Sequence, residues 1–232
     1  MRNLFALLTI TISVVLPIIA SVYLCMREKR RWKTILLGVA TFVLFQICIR
    51  LPLLQGVLMN TAWFSALPDN APLLYALILG ASAALFEVGG RYVVMALLMK
   101  KQYAFGDGIA FGVGHGGIEA ILLVGLNTMV GLLRNSLGAS SLIFAAGLER
   151  LFTMVMQVAF SVLVVRALRE KQFGCAVVAF GVHASMDTLA AFAWVSGAPV
   201  WVIETALGLL AMGTVYWLIY EWKKGQRTIC EN

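Results

Sequence analysis

Apolar residues run along this chain in long, nearly unbroken blocks. Seven such blocks, at about 3–25, 34–54, 73–98, 108–130, 142–167, 174–195 and 200–221, approach the roughly 20 residues that an α-helix needs to cross a bilayer. Prolines fall mainly at block ends, at Pro52, Pro68, Pro72 and Pro199. Pro17 lies inside the first block and predicts a kink there, which neighbouring helices can accommodate by bonding the freed carbonyl. The first block is too long and too weakly basic at its start for a cleaved signal peptide, and it lacks a small-x-small site before the basic run. The pattern predicts an all-α fold: one polytopic transmembrane helical bundle of about seven helices, with residues 1–232 as a single domain.

Composition agrees. Hydrophobic residues make up 61% of the 232 and charged residues 12%, too few charges to cover a soluble surface. The net charge of +7 is therefore no sign of nucleic-acid binding. It reports instead on which side the loops face. Arg27, Lys29, Arg30, Arg31 and Lys33 follow the first block, Lys100 and Lys101 the third, Arg166, Arg169 and Lys171 the fifth, and Lys223, Lys224 and Arg227 the seventh. The alternate side has Arg2 and Arg134. The positive-inside rule predicts a multi-pass cell-membrane protein with its N-terminus outside and its C-terminus in the cytoplasm. Cys25, Cys48, Cys175 and Cys230 show no CxxC spacing, so neither a disulfide framework nor a cysteine zinc site is expected. No tandem repeat or nucleotide-binding loop stands out; “GVGHGG” follows no strand and lies inside a block.

Ionisable residues within the blocks are costly in a bilayer and tend to mark sites. They are Arg50; Glu87 and Arg91 in “LFEVGGRYVV”; His115 and Glu119 in “FGVGHGGIEA”; Glu149 and Arg150, with Gln157 nearby; His183 and Asp187 in “GVHASMDTLA”; and Glu204. Glu87 and Arg91, His115 and Glu119, and His183 and Asp187 are each i,i+4 pairs on one helix face. Counted from the cytoplasmic end of each span, Glu87 lies about 11 residues in, His115 about 7, Glu119 about 11, His183 about 9 and Asp187 about 13. At ~1.5 Å per residue this places all five in one layer roughly 10–20 Å below the cytoplasmic surface. Gln157 reaches the same level. Each feature alone has a plain structural reading: a self-neutralising Glu87–Arg91 pair, interhelical histidine hydrogen bonds, glycines for close packing, a structural bridge from the adjacent, differently directed Glu149 and Arg150 to their neighbours, and snorkelling at Arg50 and Glu204 near the span ends. Bundle stability does not require three acid-containing pairs at matched depth.

Such a layer suits water activation. Neutral imidazoles can bind a zinc-like metal or hold a developing oxyanion, and a glutamate can take a proton from the water. The acids one turn on are candidate further ligands or partners that fix the imidazole tautomer. Arg91 would hold Glu87 ionised and oriented. The expected metal ligands are His115, Glu119, His183 and Asp187, with zinc or another divalent ion as cofactor. Water is expected to arrive from the cytoplasmic side.

In order and spacing, “FEVGGRY”, “GVGHGGIEA”, the Glu149–Arg150 pair and “GVHASMD” resemble the motifs of the YhfC-type intramembrane metalloproteases. These are grouped with the CAAX prenyl protease and bacteriocin-processing (CPBP) enzymes and with the PrsW site-1 proteases. The resemblance covers the third to sixth blocks and, loosely, the whole chain. It implies peptide-bond hydrolysis within the membrane by a glutamate-activated water, with Glu87 as the base and His115 and His183 contacting metal or oxyanion. Asp187 matches the acid or amide one turn after the last histidine. The chain departs from the pattern at two positions. Phe86 and Val88 flank Glu87 where relatives carry a Glu-Glu pair, and Gln157 stands where the fifth helix often carries a histidine; both changes lower the ligand count. The expected function is an intramembrane endopeptidase acting on a membrane-embedded or lipid-anchored peptide, with Glu87, Arg91, His115, His183 and Asp187 as catalytic residues. A catalytically silent scaffold or immunity-type membrane protein of the same fold is one alternative. A proton-coupled transporter is another, against which the lack of an obvious repeat between the halves counts.

Overall fold

Each apolar block folds as a membrane-length helix. In the computed structural model these are α1 (Arg2–Arg27), α2 (Arg31–Asn60), α3 (Pro72–Leu98), α4 (Phe105–Leu133), α5 (Ser140–Glu170), α6 (Gly174–Val195) and α7 (Val200–Lys223). The structure describes residues 1–100 and 102–230, and side chains only to residue 223. Lys101 and the side chains of Lys224, Arg227 and Cys230 thus lie outside the described residues. No strand occurs among the described residues.

The helices run past the expected ends where proline was read as a stop. α2 continues through Pro52 to Asn60 because its turns at Val43–Arg50 and Leu53–Val57 are widened to π geometry. A wide turn leaves the proline ring room where a regular α-turn would clash. The same device handles Pro17, where the π-helical turn Thr11–Val15 takes up the expected distortion. Two short helical turns, Ala62–Ser65 and Leu67–Asn70, link α2 to α3 and tuck Phe64 and Leu67 against Leu54.

α4 is the central helix, packed between α2 and α5, while α6 lies along α3 and α7 lies against α5. α4 and α5 have 61% of their most apolar stretch buried within the bundle, against 17% for α7, so the fold is built around the α4–α5 pair. Glycines permit that closeness. A Cβ at Gly114 would collide with the Ile35 carbonyl of α2, and one at Gly116 would sit 2.9 Å from Gln157 Cβ of α5. Small residues let membrane helices approach backbone to backbone. His115 lies between these two glycines and is thereby fixed against both neighbours.

One end of the bundle carries the α1–α2, α3–α4 and α5–α6 connections and most of the described basic residues. On this basic face Arg31 pairs with Glu28 at 3.0 Å and Arg30 with Asp107 at 3.5 Å, and Arg166 ties α5 to Glu221 of α7 at 3.0 Å. The Arg30 guanidinium beside Glu28 holds its carboxyl below the ordinary carboxylate range. Just inside this face Met95, Met99, Phe111, Val164, Val165 and Ala179 form an apolar core. Leu85, Leu97, Leu189 and Tyr216 are among the large apolar side chains left on the outer surface, as a lipid-facing bundle requires.

Candidate functional site

Glu87 of α3 is where the polar layer converges. Its Oε2 lies 3.2 Å from His115 Nε2 of α4 and 3.9 Å from His183 Nε2 of α6. Gln157 of α5 donates its amide to the same oxygen at 3.0 Å, and Arg91, one turn along α3, stands 3.6 Å away. Four helices therefore meet at one carboxylate. Glu87, Arg91, His115, Gln157 and His183 are all buried, Arg91 and His115 completely.

Gln157 orders the cluster. Its carbonyl accepts from Arg91, which turns its amide toward Glu87 and toward Glu119 Oε2 at 2.6 Å. The other oxygen of Glu119 accepts from Arg150 at 2.8 Å, and Arg150 also binds Glu149. Two buried arginines thus stand beside two buried carboxylates, the pairing that burial of charge demands. Arg150 thus bridges to a neighbouring helix, as expected from sequence, but Glu149 turns to Arg150 rather than away from it.

The two histidines are held by aromatic rings. His115 meets the edge of Phe42 at 5.3 Å, and His183 stacks flat on Phe160 at 4.9 Å. Asp187 is the exposed member of the cluster, with 39% of its side chain accessible, and its Oδ2 lies 3.3 Å from His183 Nε2. The Nδ1 atoms of both rings are buried without a protein partner. An unpaired lone pair costs less than an unpaired N–H, so the packing supports the tautomer with the proton on Nε2, pointed at the carboxylates.

The candidate catalytic residues Glu87, Arg91, His115, His183 and Asp187 therefore lie in one cluster. The candidate metal ligands do not form one cage. Glu119 turns from His115 toward Arg150 and Gln157, and among the described residues no three His, Cys, Asp or Glu side chains are arranged to hold a metal ion. A histidine ligating through Nε2 normally donates Nδ1–H to an acceptor, which neither ring has within the protein. The guanidinium of Arg91 also already stands beside Glu87. As arranged, these side chains do not fit a preformed divalent site.

A cavity of about 220 Å³ adjoins the cluster, lined in part by Arg50, Leu79, Glu87, Glu119, Asp187 and Leu207. Arg50 does not snorkel from the span end. It is instead buried within α2, where it donates to Ser82 Oγ at 3.2 Å and to the Leu79 carbonyl at 2.9 Å. Reading Pro52 as the helix end hid its true depth. Glu204 is also buried rather than snorkelled.

The fold and cluster define a polytopic membrane protein with a buried acid–histidine layer. The chain belongs to the YhfC intramembrane metalloprotease family, whose model matches residues 12–138 and 132–207. It is similar to a Bacillus subtilis (strain 168) protein described as “Uncharacterized membrane protein YhfC”, at 27% identity over 249 positions that cover 93% of this chain and 94% of that protein. No solved structure matches the chain.

Proposed function

We propose that this protein is an intramembrane endopeptidase in which Glu87 activates water against a peptide bond of a membrane-embedded or lipid-anchored substrate. The observation that carries this reading is the meeting of His115 Nε2, His183 Nε2 and the Gln157 amide on one buried glutamate oxygen at the wall of a cavity. Glu87 takes a proton from water as the water oxygen attacks the carbonyl carbon. The proton passes to the leaving amine as the C–N bond breaks, which returns Glu87 to its carboxylate. His183 borders the cavity, and its Nε2–H, which faces Asp187 at rest, is the donor for the oxyanion. Arg91 and Gln157 orient Glu87. The charge bias of the loops supports a cell-membrane setting with the basic face in the cytoplasm and the N-terminus outside. The family name speaks of a metal, but the arrangement of donors gives no step to route through one.

The scaffold reading draws on the mutual pairing of Glu87, Arg91, Gln157, Glu119 and Arg150. Against it stand the buried Nε and Nη1 of Arg91, Nε of Arg150 and both histidine Nδ1 atoms, which have no protein partner. A purely structural network gains most when every member is satisfied.

Glu87→Gln separates the two. A base removed without loss of shape lowers cleavage of a membrane peptide by about 10²–10⁴ with a near-normal melting temperature. If Glu87 serves chiefly to pair Arg91, the same change costs on the order of 3–5 kcal/mol of stability, and Glu87→Gln with Arg91→Met restores it. Instability rescued by the double variant, in a parent with no peptidase activity, would sink the enzyme reading.

A further inference from the structure

From the polar layer, where Phe160 and Gln46 bound it, the cavity extends toward one end of the bundle. Along α3 its lining runs from Glu87 to Ala83 and Leu79, away from the basic face; along α6 it runs from His183 to Asp187 and Ala190; along α4 from Glu119 to Leu123; and on α2 it takes in Arg50. At ~1.5 Å per residue, Leu79 is about 12 Å from Glu87 and Ala190 about 10 Å from His183, each toward the end of the bundle opposite the basic face. In the other direction the path is shut. Arg91 and Met95 follow on α3 and Phe111 on α4, with Val164 and Val165 on α5 and Ala179 on α6, all at most 1% accessible.

The lining is polar enough to hold water rather than lipid. Glu87, Glu119, Glu149, Asp187, Arg50 and Arg150 all contribute to it, and a polar cavity of about 220 Å³ has room for several waters. The side chains of Asp187 and Glu149 are 39% and 38% accessible, so the polar wall reaches the surface. The cytoplasmic approach expected from sequence is closed by packing.

Resting on the endopeptidase reading, we infer that water and substrate reach Glu87 from the face opposite the basic one. The bond cut then belongs to a peptide segment held in, or presented from, the non-cytoplasmic half of the membrane. A tail anchored on the cytoplasmic leaflet would meet the methionine and phenylalanine core instead.

Thiol labelling tests this without any need for activity. In a chain whose Cys25, Cys48, Cys175 and Cys230 are replaced by alanine, single cysteines are placed at Ala83, Ala190, Met95 and Val164. Ser196→Cys and Lys171→Cys report the two faces. Intact cells are treated with the membrane-impermeant cation 2-(trimethylammonium)ethyl methanethiosulfonate, and the purified chains are weighed by mass spectrometry. Size-exclusion profiles confirm folding, and Ala190→Cys covers for Ala83→Cys should the more buried site disturb the bundle. The expected result is a mass gain at Ala83→Cys, Ala190→Cys and Ser196→Cys, and none at Met95→Cys, Val164→Cys or Lys171→Cys. Labelling of Met95→Cys or Val164→Cys together with the Lys171→Cys face, or a folded Ala190→Cys that gains no label, would overturn the inference. If the labelling holds but the parent chain cleaves no membrane peptide, the endopeptidase reading fails and the outward cavity stands.

Discussion

His115–Glu119 and His183–Asp187 have the same spacing, sit at the same depth, and fold into opposite arrangements. His183 Nε2 faces its own acid at 3.3 Å. Glu119 leaves His115 for Arg150 and Gln157, and His115 turns to Glu87 of another helix. The i,i+4 relation puts two groups on one face but does not make them bond; the stronger neighbour decides. For Glu119 that neighbour is a buried arginine, and a charge-assisted bond to Arg150 outweighs one to a neutral imidazole. Asp187 faces no arginine within ion-pairing distance among the described residues, so it stays with its histidine.

The sharpest way to break this contrast is to remove Arg150. Arg150→Met strips the cation from both Glu119 and Glu149, and the expected cost is about 3–5 kcal/mol in unfolding experiments in detergent. Glu119→Leu in the same chain should return most of it. If Arg150→Met alone is neutral, the pull on Glu119 is misjudged.

Next come the histidines themselves. His115 is fully enclosed, so His115→Ala leaves a closed void and should cost about 2–5 kcal/mol as well as activity. His183 borders the cavity, where water can refill the space, so His183→Ala should abolish cleavage with a visibly smaller drop in melting temperature. Equal drops would contradict the placing of His183, and not His115, at the cavity wall.

A smaller effect is expected at Asp187. Asp187→Asn keeps an acceptor beside His183 and should lower cleavage on the order of 10-fold, as loss of an orienting partner does, with stability unchanged. The smallest expected effect is that of zinc. A ready cage would raise stability by about 2.7 kcal/mol at a free-metal concentration 100 times its Kd. With Glu119 committed to Arg150, zinc should not move the melting temperature, and metal analysis of the purified protein should find less than one ion per chain. A clear zinc-dependent rise would mean that Glu119 or Asp187 swings into a cage on binding.

Much of this was legible in the sequence. Block length and the sparse charges within the blocks identify seven helices, and counting along each block places Glu87, His115, His183 and Asp187 in one layer. What escaped depends on neighbours in space. Pro52 reads as a helix end, yet π-helical turns carry α2 past it and bury Arg50. Gln157 looks like a lost histidine, yet its amide suits the place between Arg91, Glu87 and Glu119, where it donates and accepts at once. The side from which the cavity opens has no local signature, because it depends on where Phe111, Val164 and Met95 from three helices close up together.

The slight burial of α7 has a consequence for the order of synthesis. Glu87, His115, Gln157 and His183 all come from helices that leave the ribosome before α7. α7 adds Leu207 to the cavity wall and a buried glutamate, Glu204, near its start. The charges of that layer can therefore pair with one another before α7 is added.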